Sequence, residues 1–122
     1  MYFYLTETEL AVRAPLETSL RHYEWDDVAV VSIACRSSRK GPSLRYVLRT
    51  SDGQTIDFSR VPAWRLAPVF ERITSRLDSL AGVRYEFDIS ERALDEFGRE
   101  RDTGLANAIR RQAQRHGGVL RH

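Results

Sequence analysis

The stretch LRYVLRTSDGQTIDF, residues 44–58, decides the fold, because its strand register can be derived from the sequence alone. Apolar residues alternate on either side of a polar centre: Leu44, Tyr46 and Leu48 before it, Ile56 and Phe58 after it. A two-residue Asp-Gly turn would place Leu48 opposite Asp57 and bury a charge. A three-residue loop at residues 51–53 instead pairs Leu48 with Ile56 and Tyr46 with Phe58, and places Gly53 in the left-handed position. The sequence therefore predicts an antiparallel hairpin with one apolar face.

Upstream of this hairpin, short apolar runs alternate with turn signals. They predict strands at residues 3–5, 10–13, 20–25 and 28–35, and the β-branched last run has the composition of a central strand. Residues 36–43, which include Gly41-Pro42, are predicted to form a loop. In the hairpin itself, Arg45 and Arg49 fall on the face opposite to the apolar one and are expected to face solvent.

Downstream, the apolar period changes to that of a helix. One stripe of a helix over residues 64–80 is formed by Leu66, Val69, Phe70, Ile73, Leu77 and Leu80. Pro68 is expected in its first turn, because a proline further inside loses a backbone hydrogen bond. Residues 83–89 alternate as a strand, and Ser90 is a predicted N-cap. Helical segments follow, one interrupted near Gly98 and one ended by Gly117-Gly118.

The opening hairpin YFYLTETELAV is followed by YEWDDVAVV, then by LRYVLRTSDGQTIDF and the helix AWRLAPVFERITSRL. Over residues 2–80 this order resembles bacterial pleckstrin-homology-like (PH-like) domains, with Tyr23-x-Trp25-Asp in place of their tyrosine/tryptophan-Asp corner. The resemblance implies an α+β fold in which six to seven short antiparallel strands form a barrel or sheet closed by an amphipathic helix. A helical C-terminal extension would follow this core.

The length of 122 residues suits a single domain at 1–122, with a PH-like core at 2–90 and a helical extension at 91–122. Only six strands precede the closing helix, so two alternatives stay open. Either residues 83–89 supply the seventh edge, or the C-terminal residues form a separate appendage. No stretch approaches the ~20 apolar residues that span a bilayer, and residues 1–5 are too few for a signal peptide. We therefore expect a soluble cytoplasmic chain, either complete or the soluble part of a longer protein.

No catalytic or metal-binding pattern stands out. Cys35 is the only cysteine and ends an apolar run, where a buried thiol is expected. His22, His116 and His122 lack the spacing of metal ligands. Neither a GxSxG elbow nor a glycine-rich phosphate loop is present. The sequence predicts a non-enzymatic protein without a metal or cofactor.

The candidate binding site is the basic stretch at residues 36–49, which contains five cations and no acid. Arg36, Arg39, Lys40 and Arg45 are predicted to form an anion or headgroup site, and the resemblance implies lipid, peptide or protein ligands. The expected function is a non-catalytic interaction domain that binds an anionic membrane surface or a protein partner, in the cytoplasm or at the inner face of the membrane. The alternative that these cations form ordinary solvated surface stays open.

The last helix gives two further hypotheses. Its cations Arg110, Arg111 and Arg115 suggest a basic nucleic-acid-associated module as the alternative function, although the helix offers no aromatic stacking platform. Its apolar stripe is narrow and consists of Leu105, Ile109 and Ala113. Such a stripe predicts that the helix completes its packing on a neighbour, in the simplest case in a homodimer.

Overall fold

A computed structural model describes residues 1–13 and 16–121. The strands are β1 (Tyr2–Leu5), β2 (Glu9–Arg13), β3 (Arg21–Glu24), β4 (Val28–Ser38), β5 (Gly41–Thr50), β6 (Thr55–Asp57) and β7 (Arg84–Ile89). The helices are α1 (Ala63–Asp78), α2 (Glu91–Glu100) and α3 (Thr103–Arg115), and a single 3₁₀ turn at Trp25–Asp27 joins β3 to β4.

The strands form two sheets. β1, β2 and β3 make an antiparallel three-stranded sheet, and the second sheet has the order β6-β5-β4-β7, with β7 parallel to β4. The α+β class is confirmed, and so is the antiparallel pairing of β1 to β3 and of β4 to β6. The expectation of a wholly antiparallel sheet is wrong at β7, which pairs parallel to β4. The closed barrel is wrong: between β3 and β4 the 3₁₀ turn redirects the chain, and no ladder within the described residues joins the two sheets.

The β5–β6 hairpin has the predicted register. Leu48 lies opposite Ile56, and the Phe58 N–H donates to the Tyr46 carbonyl at 2.8 Å. Gly53 has a φ of 89°, the left-handed conformation that the three-residue loop requires. The side chain of Ile56 is therefore directed into the core.

The predicted loop at residues 36–43 is instead a continuation of two strands. β4 and β5 stay paired to their ends, where Ser38 lies opposite Gly41, and only Arg39 and Lys40 form the turn. Gly41, with a φ of 104°, accepts the left-handed conformation that this tight reversal imposes. The basic stretch therefore lies on a long, regular hairpin.

β7 completes the edge of the four-stranded sheet, so the first of the two alternatives for residues 83–89 is confirmed. Tyr85 lies opposite Val31, and Ile89 lies opposite Cys35. The crossover that brings β7 back beside β4 contains α1, as a parallel connection requires. β4 thereby becomes the central strand, with a partner on each side.

α1 contains Pro68 well inside the helix, so the prediction that it lies in the first turn is wrong. Proline lacks the N–H that would bond to the carbonyl of Trp64. Both residues are exposed, with 73% of Trp64 accessible. That carbonyl is on the outer side of the helix, where solvent can replace the missing bond.

α2 continues through Gly98, so the predicted break there is also wrong. A Cβ at Gly98 would lie 3.1 Å from the Cβ of Ala106, and the glycine therefore allows α3 to approach closely. The predicted cap is confirmed, because the Ser90 hydroxyl accepts a hydrogen bond from the Ala93 N–H.

All three helices contribute to one core cluster with both sheets. The stripe assigned to an interface, Leu105, Ile109 and Ala113, is at most 1% exposed. This chain itself covers it, because Gly98 and Ala106 let α2 approach closely enough to bury a narrow stripe. These residues are therefore not available to a neighbour, and a homo-oligomer of this protein stays a prediction. In the described residues, no helix combines the length and apolarity needed to cross a membrane.

Candidate anion-binding surface

One face of the four-stranded sheet is left uncovered by the described residues. Side chains alternate between the faces of a strand, so Val31 and Ile33 of β4 point into the core while Ser32 and Ala34 point outward. We call this outward side the open face. Its members are Ser32, Ala34, Arg36, Ser43, Arg45, Val47, Arg49, Thr55, Asp57, Arg84, Glu86 and Asp88.

A shallow depression of about 300 Å³ occupies the middle of the open face. Small side chains, among them Ala34 and Val47, form its floor. Arg45 and Arg49 line it, four residues apart on β5 and thus roughly 13 Å apart along the strand. Both arginines are exposed, and neither has a hydrogen-bond or ion-pair partner among residues 1–13 and 16–121. Two uncompensated guanidinium groups therefore border a surface of small side chains.

Arg36 has a different environment. Its guanidinium donates to the Asp88 carboxylate through Nε, at 2.9 Å, and through Nη2. Asp88 also meets Arg121 at 2.6 Å. The hydrogen bond from Arg36, supported by the charges of both arginines, holds the pKa of the Asp88 carboxyl below its usual value. Arg36 is thus held by Asp88, whose single negative charge is shared between two arginines.

Arg39 and Lys40 form the tip of the β4–β5 hairpin. Both are exposed and lack a partner within the described part of the chain. The tip lies beside the end of α2, because a Cβ at Gly41 would be 3.4 Å from Oε2 of Glu100. Arg45 is five residues beyond Lys40, roughly 17 Å along a strand. The four predicted residues therefore do not converge on one headgroup: two lie at the tip, one lies in the depression and one is in an ion pair.

The arginines of α3 are engaged in contacts within the protein. Arg110 meets Asp95 at 2.7 Å, and Arg111 meets Glu71 at 2.7 Å. Arg115 lies 3.4 Å from Asp78. These ion pairs connect α3 to α2 and α1, so the cations behind the nucleic-acid hypothesis are at least partly neutralised inside the structure.

A polar cluster that the sequence did not reveal lies where α1, β7 and α3 meet. Oδ1 of Asp78 accepts hydrogen bonds from the Tyr85 hydroxyl (3.1 Å) and Gln112 Nε2 (3.1 Å), and lies 2.7 Å from His116 Nε2. The His116 ring stacks on Tyr85 with centroids 3.6 Å apart. Gln112 and His116 follow Asp78 by 34 and 38 positions, and the four residues share no motif, so no pattern in the sequence grouped them.

Burial and hydrogen bonds set the protonation of this cluster. Burial alone would raise the pKa of the Asp78 carboxyl, but the hydrogen bonds from His116, Gln112 and Tyr85 outweigh burial and lower it. Burial and the neighbouring Asp78 charge raise the pKa of Tyr85. In the described part of the chain, no serine, threonine or cysteine side chain bonds to His116, so the cluster does not contain a hydroxyl–histidine or thiol–histidine pair of the Ser–His or Cys–His kind.

The other candidate groups are separate from one another. Cys35 is buried, and burial raises the pKa of its thiol to about 11, which keeps it protonated at neutral pH. His22 is exposed and lies 3.2 Å from Glu9, and His122 is outside the described residues. Within 1–13 and 16–121, no three His, Cys, Asp or Glu side chains are grouped as a metal site would require. Comparisons with protein-family models, with curated proteins and with solved structures found no match for this chain.

Proposed function

We propose that this protein is a non-catalytic interaction domain that binds an anionic membrane surface through its β4–β5 hairpin. One observation carries the proposal: Arg39, Lys40, Arg45 and Arg49 belong to one hairpin and lack partners among the described residues. Arg36 of the same hairpin and the arginines of α3 are held in ion pairs. Other unpartnered arginines of the described residues, such as Arg72 and Arg99, lie on the helices and outside this hairpin. A hairpin with four uncompensated cations has a positive field directed outward.

The arrangement of these cations favours a surface over a small soluble ligand. A single phosphate needs donors that converge on it, whereas these four are spread along a hairpin whose second strand has 10 residues, about 33 Å. A bilayer that contains anionic lipid attracts dispersed cations, at about 1 kcal/mol for each Lys or Arg near the surface. The resemblance to PH-like domains gives the proposal only analogy as support, since fold does not fix function.

The test is sedimentation with phosphatidylcholine vesicles, with and without phosphatidylserine, at low and moderate salt. We expect the wild type to bind only the anionic vesicles, and less strongly as salt rises. The variant Arg39/Lys40/Arg45/Arg49→Gln should bind far less tightly, by about fivefold in the partition constant for each charge removed.

A matched control removes four other cations that are exposed and unpartnered among the described residues, in the variant Arg72/Arg76/Arg99/Arg101→Gln. It should retain most of the binding, because its net charge changes equally but its hairpin is intact. Equal losses of binding in the two variants would show that binding depends on the net charge of the protein and not on the hairpin. Absence of wild-type binding at low salt would contradict the proposal and leave a protein partner as the alternative.

A further inference from the structure

A deep crevice separates the two sheets at the place where the expected barrel fails to close. Its volume is about 380 Å³, within the roughly 300–1,000 Å³ typical of ligand sites. On one side, Val12 and Tyr23 come from the three-stranded sheet. On the other side, Ile56 and Val61 come from β6 and the segment that leads into α1. Each wall thus contributes apolar side chains, and charged and polar side chains, among them Glu17 and Asp57, line the rest of the crevice.

The free edge of β6 forms part of the wall. Three consecutive residues, Thr55–Asp57, line the crevice, as expected of a strand that faces it edge-on. β6 has a partner on one side only, which is β5. An antiparallel strand directs its backbone groups alternately to either side. Gln54 and Phe58 bond to β5, which leaves the N–H and C=O groups of Thr55 and Asp57 directed away from it. Such an edge is a template for another strand.

Three cations, Arg21, Arg60 and Arg65, and two acids, Glu17 and Asp57, line the crevice, so its lining carries a small excess of positive charge. Arg21 pairs with Glu17 at 2.8 Å, and Arg65 donates to the Met1 carbonyl at 2.6 Å. Arg60 is exposed and has no partner among the described residues. A carboxylate at this position would therefore find a free guanidinium group.

We propose that the crevice binds an extended, acidic peptide segment of a protein partner, which adds to β6 as a fifth strand of the sheet. Main-chain bonds to Thr55 and Asp57 would provide affinity, as in other strand additions. One apolar side chain would enter between Tyr23 and Ile56, and one carboxylate would meet Arg60. The three residues of β6 span about 10 Å, enough for a short peptide segment.

An extended peptide fits this site better than a small apolar acid. A fatty acid would satisfy the apolar walls and Arg60, but it offers no main-chain groups to the unpaired edge. A peptide supplies donors and acceptors with the spacing of a strand. This proposal is independent of the membrane proposal, because none of its residues belongs to the β4–β5 hairpin.

The experiment selects, from a library of random heptapeptides, those that bind the whole protein. Peptides that also bind the Thr55→Pro variant are removed by counter-selection. Proline on an edge strand removes an outward N–H without breaking the inner ladder, and matching circular dichroism spectra would verify that the variant folds. Selected peptides should alternate apolar and polar residues and carry an acid. In amide NMR titrations they should shift Thr55 and Asp57, and N-methylation of alternate peptide bonds should abolish the effect.

A charge exchange provides the second variant. Arg60→Glu should weaken the selected acidic peptides about two- to fivefold, as expected for an exposed ion pair, and Glu→Lys in the peptide should restore binding. The proposal is overturned if wild type and Thr55→Pro select the same peptides. It is also overturned if decanoate alone shifts the same amides equally in both proteins, which indicates a small-molecule site. If the Thr55 and Asp57 amides instead shift as the protein concentration rises, the edge of β6 binds a second copy of this chain and the peptide proposal is overturned.

Discussion

At the scale of single residues, Tyr46 has the least favourable position in the molecule. Its ring is fully buried between Phe58 and Phe70, with centroids 5.5 and 5.3 Å away. Its hydroxyl has no hydrogen-bond partner within residues 1–13 and 16–121. Burial raises the pKa of this phenol far above its ordinary value, so it is neutral at any physiological pH. A buried hydroxyl without a partner reduces stability.

We therefore expect Tyr46→Phe to raise the free energy of unfolding by about 1 kcal/mol, because it removes an unsatisfied group and keeps the ring. Urea denaturation followed by circular dichroism measures the change. Tyr85→Phe is the matched control and should lower stability, since its hydroxyl bonds to Asp78. If Tyr46→Phe destabilises the protein instead, the hydroxyl has a partner such as a buried water.

At the scale of elements, the contact between α1 and α3 depends on the Asp78 cluster. Gln112, fully buried on α3, donates to a carboxylate at the end of α1. Ion pairs at Arg111 and Arg115 flank this bond. The cluster thus fixes how far α3 can slide along α1, while Gly98 sets how closely it approaches α2.

The pH dependence of Asp78 follows from its lowered pKa. The unfolded chain binds this proton more tightly than the folded chain, so stability increases with pH across this titration. The contribution of ionised Asp78 to stability is complete above the ordinary Asp pKa of about 3.9. It is lost as pH falls through the lower pKa of the folded state. Asp78→Asn should lower the free energy of unfolding by about 1–3 kcal/mol at pH 7, and the difference should shrink as pH falls below the ordinary Asp value.

Denaturation curves at pH 7 and pH 3 test this expectation. Asp95→Asn is the control, because Asp95 pairs with Arg110 but its side chain is 55% exposed, and exposed pairs contribute little. A difference between wild type and Asp78→Asn that is as large at pH 3 as at pH 7 would show that the carboxylate charge is not what stabilises the cluster.

At the scale of the whole molecule, the C-terminal helices belong to the same core as the sheets. Ile109 of α3 is fully buried, and Trp25, beside the three-stranded sheet, is 4% exposed. Both residues are part of one hydrophobic cluster. Cooperative unfolding is expected when buried contacts connect all the elements.

We expect Ile109→Ala to lower stability by about 2–5 kcal/mol, the usual range for a buried Ile, and to do so for every probe. In a Trp64→Phe background, fluorescence reports on Trp25 alone. Its transition should shift together with the helical circular dichroism signal. A shifted helical signal with unchanged Trp25 fluorescence would instead make the C-terminal helices an independent unit.

Sequence reasoning succeeded where the determining interactions are local. The β5–β6 register follows from Gly53 and from the alternation on either side of it, and α1 follows from its apolar period. It failed where pairing depends on distant residues: Ser32 on β4 and Glu86 on β7 are bonded across 54 positions. The prediction that the narrow apolar stripe of α3 packs on a neighbouring molecule failed for a related reason. Gly98 and Ala106 let two helices approach closely, so little apolar area is enough to bury that side of α3.

The two-sided pairing of β4 also affects how the chain is made. Its antiparallel partner β5 follows immediately, but its parallel partner β7 emerges from the ribosome only after some 54 further residues. At about 5–20 residues per second, this interval is roughly 3–11 s. Throughout it, the most apolar strand has one unpaired edge in the nascent chain. A slower stretch of codons before β7 would prolong the exposure.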